Sequence, residues 1–436
     1  MSHVFVVDTN RTPLNPVHPG EARRLLSHGK AAVLKRYPFT IILKQAIITP
    51  QVTGLRVKVD PGSRTTGIAV VNDTSGQVVF AAELTHRGQA IKANLDARRR
   101  VRRSRRQRKT RYRKARWRNR RIKKGWLPPS LGSRLENICT WVRRLCQLCV
   151  VTASSMELVR FDMQRMENPD IAGVEYQQGT LMGYEVREYL LEKWGRQCAY
   201  CGVKDVPLEI EHIHSRAHGG TNRIANLTVA CVPCNRAKGN RDITNFLHQK
   251  PEVLARILTQ AKHPLKDAAA VNTTRWALLD RLTATGLPVE TGSGGVTKFN
   301  RTQREIPKTH WSDAACVGAS TPPVLKTTGV VPLLIRATGH GSRQMCLMSA
   351  YGFPRTAAKG ARRVQGFQTG DLVKAVVPTG KKQGTYWGRV AVRSSGSFNI
   401  KTSTATIQGI SYRHCQMLQR SDGYTYTTGG ALPPHA

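Results

Sequence analysis

Two cysteine pairs, Cys198-x-x-Cys201 and Cys231-x-x-Cys234, have the spacing of two knuckles that share one tetrahedral Zn²⁺. Four thiolates close the coordination sphere, so such an ion holds a fold and does no chemistry. The gap between the pairs is longer than in a simple zinc ribbon, so something is inserted there. The insert runs into the second pair as LEIEHIHSRAHGGTNRIANLTVACVPCNRAKG, with three histidines within seven positions. Histidine can act as a base near neutral pH. Carboxylate or amide oxygens suit a hard divalent cation such as Mg²⁺.

The stretch closely resembles the HNH nuclease motif, a ββα-metal unit often stapled by such a zinc. Glu211-His212 matches the acid and histidine ending the first strand, Asn226 the middle asparagine, and Asn235 the last one, on the helix. The resemblance implies His212 as the base, Glu211 and Asn235 as Mg²⁺ ligands, and Asn226 as the brace of the loop that orients His212. The family usually has Asp where Glu211 stands. His214 and His218 match no role and read as phosphate contacts or surface residues.

A second acidic set is scattered along the chain. In LRVKVDPGSRTTGIAVV, Asp60 ends a strand before a tight turn and another strand. This resembles the first motif of the RuvC, or ribonuclease-H-like, nucleases. Asp8 in VVDTN lacks the following glycine turn and apolar strand, and is set aside. Glu157 in SMELV falls where that family's second acid belongs, in a strand expected over MELVRFDM. His310 and Asp313 stand three apart on an expected helix and so share a face, matching the third motif. The resemblance implies that these four residues converge to hold two Mg²⁺ ions for in-line attack.

The elements that must position these residues are legible from periodicity. VFVVDTN, FTIILKQ and three runs between 55 and 85 alternate or run apolar as strands, the last three as an antiparallel meander. LGSRLENICTWVRRLCQLCVVT carries its apolar residues on one helical face, so Cys146-x-x-Cys149 reads as packing. From Arg98 to Lys124, 18 of 27 residues are Lys or Arg and none is acidic. Alone such a segment would repel itself; against phosphates it can form one long helix. The chain's net charge of +42 far exceeds what solubility requires and suits a polyanion, nucleic acid above all. No lipidation motif, signal peptide or spanning apolar run is read, so membrane binding is set aside. A cytoplasmic, nucleoid-associated protein is expected, with ten cysteines serving metal or burial rather than disulfides.

First acid, Arg-rich helix, second acid, HNH unit, third motif and β-rich tail is the order found in IscB. That family is a compact transposon-associated relative of the CRISPR nuclease with two cutting domains. TPLNP at 12–16 stands where its members carry Pro-Leu-Met-Pro. The resemblance implies an α+β multidomain fold: a split RuvC core, an inserted bridge helix, a zinc-stapled HNH domain and a small C-terminal β-barrel. The expected division is 1–51 N-terminal α+β domain, 52–90 RuvC part I, 91–126 bridge helix, 127–187 RuvC part II, 188–245 HNH, 246–325 RuvC part III and 326–436 the tail. It further implies an RNA-guided DNA endonuclease with a structured guide RNA and double-stranded DNA as partners, working as one protein per RNA. HNH would cut the guide-paired strand and RuvC the displaced one. Arg98, Arg99, Arg102, Arg103, Arg105, Arg106, Arg108, Arg111, Arg113 and Arg116 would line the guide backbone. Lys374, Lys381, Lys382, Tyr386 and Arg389 would read a short motif beside the target. The alternatives are an HNH nuclease of the homing type that recognises DNA directly, and a non-catalytic RNA-binding assembly protein.

Overall fold

The computed structural model describes residues 3–107, 125–158, 182–262, 268–339, 346, 347, 349, 353–358 and 360–430. A small N-terminal unit comes first: β1 (Phe5–Val7), α1 (Pro19–Ser27), β2 (Ala31–Lys35) and β3 (Thr40–Leu43). Its sheet runs β1-β3-β2 around Val4, Val6, Ala22 and Ile41. Asp8 is taken up in this unit, accepting from the amides of Thr12 (2.8 Å) and Ile47 (3.3 Å).

The meander follows as β4 (Leu55–Asp60), β5 (Thr65–Val71) and β6 (Val78–Thr85), paired antiparallel in sequence order. These strands are buried on both faces, which explains their nearly continuous apolar runs. Helix α2 (Gly88–Gln107) leads out through the arginines, starting ten residues before the Lys/Arg run. Helix α3 (Pro129–Cys146) returns, and β7 (Val151–Glu157) joins β4 in parallel. This strand begins earlier than the expected MELVRFDM, because its first residues pair with the start of β4; Glu157 becomes its last residue. The apolar face of α3, with Cys149 buried and Cys139 and Cys146 against it, covers one side of the sheet. Fully burying Trp141, Leu145 and Ile138 there contributes roughly 2–3 kcal/mol each.

The chain then leaves the sheet to build a separate core. Helix α4 (Met182–Lys193), the hairpin β8 (Leu208–His212) and β9 (Leu227–Cys231), α5 (Val232–Lys238), α6 (Ile243–Phe246) and α7 (Pro251–Lys262) gather around Tyr189, Leu190, Trp194, Val229 and Ile257. Because Ile257 and Ala261 of α7 belong to this core, and Lys193 Nζ donates to Ala261 O at 2.9 Å, the unit runs past residue 245.

The return is α8 (Ala268–Thr283), β10 (Val289–Gly292), α9 (Gly294–Gln303), the short α10 (His310–Ala315) and β11 (Leu333–Ala337). Helix α10 packs Trp311, Ala314 and Ala315 on the other side of the sheet, against Ala69, Val71, Val78 and Ala81. The tail forms β12 (Leu372–Val377), β13 (Gly384–Ala391), β14 (Ser397–Lys401), β15 (Thr406–Ser411) and β16 (Cys415–Gln419), a five-stranded antiparallel sheet. Strand β17 (Tyr424–Thr428) then pairs with β11. The large sheet therefore has the order β10-β7-β4-β5-β6-β11-β17 and takes both ends of the tail into itself. Tyr424 and Tyr426 pack edge-on against Trp141, and Arg144 lies over Trp141 with Asp422 at 2.9 Å. That aromatic contact gives β17 its reason to leave the tail.

Candidate active sites

Asp60 and Glu157 end adjacent parallel strands whose register pairs Val59 with Met156. One step further along that register sets the two acids side by side. Their face follows from the pleat, since residues two apart point the same way. Lys58 Nζ donates to Val317 O (2.8 Å), Ser320 Oγ (3.2 Å) and Thr321 Oγ1 (3.0 Å), and burial pulls its ammonium down to about 8. Ser155 Oγ donates to Glu290 Oε2 at 2.6 Å, and Ser320 N to the other oxygen at 2.9 Å. Lys58 and Ser155 thus face the segment 317–321, and by the pleat Asp60 and Glu157 rise on that same side of the sheet.

Helix α10 is placed over them by what β5 lacks. Gly67 lies opposite Asp60 in the ladder, and a Cβ there would run into the His310 carbonyl and the Ala314 methyl. The helix starts with a capping box between Thr309 and Ser312, so its first turn is fixed locally as well. Asp313 lies against Arg301 Nε at 2.9 Å; burial pushes its carboxyl up against the pull of Arg301. The Glu157 carboxylate meets the buried Arg275, whose Nη2 is 3.1 Å from Oε1 and whose Nε donates to Pro61 O at 3.4 Å. The backbone amide of His310 donates to Glu83 Oε1 at 3.1 Å. Sequence reasoning passed over Glu83, Arg275 and Arg301. Arg275 left a signal, a charge directly before the apolar stretch WALL; Glu83 left none, being one more polar residue in a strand.

In the inserted unit, β8 delivers Glu211 and His212 to the end of a hairpin that pairs His212 with Leu227. Asn226 closes the intervening loop: its Oδ1 accepts from His214 N (2.8 Å), and its Nδ2 donates to His214 O (2.9 Å) and Thr221 O (2.8 Å). His212 Nε2 lies 2.9 Å from Asn222 Oδ1. His214 turns away, its Nε2 on His218 O at 2.9 Å. Glu209 and Glu211 share the face toward α5, where Asn235 and Lys238 stand three apart and reach one acid each. Asn235 Nδ2 donates to Glu209 Oε2 at 2.6 Å. The fully buried Lys238 Nζ donates to Glu211 Oε1 at 2.5 Å and to His212 O at 2.9 Å. The sequence pattern pairs Glu211 with Asn235; in the fold each is held by another partner.

The four thiols of Cys198, Cys201, Cys231 and Cys234 all lie within 4.8 Å of one another, with Cys201 and Cys231 sulfurs 3.7 Å apart. Thiolates 2.3 Å from one tetrahedral ion stand about 3.8 Å apart, so the donor set and spacing fit Zn²⁺. Among the described residues the sheet carboxylates are not drawn that close together.

Arg98, Arg99, Arg102 and Arg103 are exposed on α2. Arg105 and Arg106 lie on the same helix, while Arg108, Arg111, Arg113 and Arg116 fall outside the described residues. In the tail, Lys381 is exposed, Lys374 Nζ lies over the Trp387 ring at 5.3 Å, and Lys382 Nζ donates to Gln408 O at 2.7 Å. Tyr386 OH donates to Lys382 O at 3.0 Å. Arg389 spends its guanidinium on Gly370 O (2.7 Å) and Tyr424 O (3.0 Å), a strut between the tail sheet and β17. None of the described helices is long and apolar enough to cross a membrane.

A family model described as RRXRR protein matches residues 4–179, and one described as HNH endonuclease matches residues 198–241. No curated protein matches the chain. Among solved structures, it is similar to Streptococcus thermophilus Cas9 in complex with the AGAA PAM, at 12% identity over 61% of this chain and 32% of that one, with a TM-score of 0.23. It is also similar to the type II-C Cas9 enzyme from Actinomyces naeslundii, at 17% identity over 45% of this chain and 32% of that one, with a TM-score of 0.18. The chain spans about a third of the length of these structures. It carries an HNH endonuclease domain beside an RRXRR region, in a mixed α+β fold.

Proposed function

We propose that the protein is an RNA-guided DNA endonuclease of the IscB kind, with two metal-dependent cutting sites in one chain. One observation carries this reading. In a chain that already holds an HNH endonuclease domain, two acids end neighbouring strands beneath a helix that presents a histidine and a third acid. A homing-type HNH enzyme has no use for that assembly, nor for an exposed arginine helix. On this reading 52–90, the pair α3 and β7, and the segment from α8 to residue 325 are three parts of one RuvC domain that cuts the displaced strand, and HNH cuts the guide-paired one.

His212 acts as the HNH base. With Asn222 Oδ1 accepting from Nε2, the proton resides on Nε2 and Nδ1 keeps the lone pair that takes a proton from water. Asn226 holds the loop that follows His212, so the imidazole stays where β8 puts it. Glu211 and Asn235 would supply oxygens for Mg²⁺, with Glu209 held against Asn235 and the Glu211 carboxylate held by Lys238. In the sheet site Asp60, Glu157 and Asp313 would be the oxygen donors, and His310 stands three residues before Asp313 at the start of α10. Bound Mg²⁺ would offset the charge that develops on the phosphate at either site.

The arginines of α2 neutralise guide phosphates without reading sequence, and the tail sheet reads a short motif beside the target through Lys374, Lys381 and Lys382. One protein per RNA, in the cytoplasm at the nucleoid, completes the proposal.

The test starts with the protein expressed beside its flanking genomic DNA and the co-purifying RNA sequenced. One abundant structured RNA with a variable end is expected. Loaded with it, Asp60→Ala and His212→Ala should each leave a single nick, on opposite strands. Loss of both cuts in either variant would overturn the two-site reading, and a smear of cellular RNA would favour direct DNA recognition.

A further inference from the structure

Glu83 stands outside every motif, yet it touches the helix that carries the third one. Three observations place it. In the ladder, Gly67 is opposite Asp60 on one side and opposite Glu83 on the other, so the row Asp60–Gly67–Glu83 crosses three strands. Directly paired residues of antiparallel strands point to the same face, so both carboxylates rise from the face that α10 covers. The first turn of α10 rests on the gap in that row, because a Cβ on Gly67 would meet the His310 carbonyl and the Ala314 methyl. The His310 amide, one of the donors a helix start leaves without an internal partner, is taken by Glu83 Oε1 at 3.1 Å.

We infer that Glu83 is a positioning residue for the sheet site, setting where α10 presents His310 and Asp313 relative to Asp60. The inference rests on the RuvC reading of that site. The helix has six residues, and its capping box with Thr309 and Ser312 fixes only its own first turn. Gly67 lets the helix approach the sheet but does not stop it sliding along the row. Glu83 supplies that stop from one side, while the contacts of Lys58 with Val317, Ser320 and Thr321 anchor the far end of the segment. A displacement of about 1 Å at a reacting geometry costs up to 10²-fold in rate, so a loose helix start is enough to silence a site whose acids are all present.

Glutamine separates position from charge, since its Oε1 accepts the same hydrogen bond without the negative charge. The experiment measures strand-specific nicking against Mg²⁺ concentration in the RNA-loaded protein, for Glu83→Ala, Glu83→Gln and Asp60→Ala. Glu83→Ala is expected to slow displaced-strand nicking by about tenfold or more and to raise the Mg²⁺ needed for half-maximal rate at that strand only. Glu83→Gln is expected to stay within about threefold of the unmodified protein on both measures. Displaced-strand nicking by Glu83→Ala at the full rate, with Asp60→Ala silent, would overturn the inference and leave the RuvC reading standing. Full nicking by Asp60→Ala would overturn the RuvC reading itself. Should Glu83→Ala lose both nicks together, Glu83→Gln decides: near-full activity supports positioning, and a folded but silent displaced-strand site overturns it in favour of a charge requirement.

Discussion

The inserted HNH unit and the seven-stranded sheet place polar residues for chemistry in opposite ways. In the unit, Glu211, His212, Asn226 and Asn235 lie within 25 residues, on one hairpin and the helix that follows it, and four cysteines tie both ends of the stretch. In the sheet, Asp60 and Asp313 are more than 250 residues apart, and a ladder, a missing Cβ and one hydrogen bond bring them under one roof. The difference teaches where each site is vulnerable. The first has its ends tied through a four-cysteine cluster whose spacing fits a metal ion; the second depends on packing, with arginines offsetting the repulsion between its acids.

The largest effect should come from the staple. With zinc as the ion the four cysteines would hold, Cys198→Ser or a chelator would withdraw binding energy of roughly 10 kcal/mol from a unit with a small core of its own. Hydrogen exchange should show β8, β9 and α5 losing protection while β4–β7 keep theirs, with displaced-strand nicking intact. Loss of protection in both regions would break the comparison, because the two units would then fold as one.

Next in size is Arg275→Met. It leaves the buried Glu157 carboxylate without its guanidinium, which typically costs about 3–5 kcal/mol. Thermal unfolding should shift down and only displaced-strand nicking should fall. Adding Glu157→Gln should recover stability while abolishing that nick.

His86 sharpens the contrast by pH. Burial holds its imidazole down to about 3, beside Thr66 Oγ1 at 2.8 Å, whereas the unfolded chain has an ordinary histidine. The folded state refuses a proton that the unfolded state accepts, so stability is present above about pH 6.5 and is lost as pH falls toward 3. The loss is on the order of a few kcal/mol and should appear in acid unfolding followed through the sheet. His86→Gln should flatten that slope.

The smallest effect belongs to Thr309→Ala. Losing the N-cap costs about 1 kcal/mol, and a short helix with little else to start it should fray. Displaced-strand nicking should drop a few-fold with the other strand unchanged; equal loss on both strands would show that the cap acts on global stability.

Periodicity and spacing carried the local parts. The meander of β4–β6, the apolar face of α3 and the four-cysteine cluster follow from residues close in sequence, so the chain shows them without its fold. The start of β7, the extent of the inserted unit and the split of the tail were not legible in that way. Each was decided by a distant partner: β4 for β7, the core around Trp194 for α7, and β11 with Trp141 for β17. In the sites the same rule held. The residue types and their order were read from the sequence, but the partners Arg275, Arg301, Lys238 and Glu83 were not.

What the sequence by itself determined is therefore chemistry and local geometry: which groups can ligate, accept a proton or repel one another, and which neighbours share a strand or a helical face. What only the tertiary structure decided is which charge faces which. That choice is made when non-local strands pair and side chains lose water together, and a buried carboxylate then takes whatever cation the packing brings within reach.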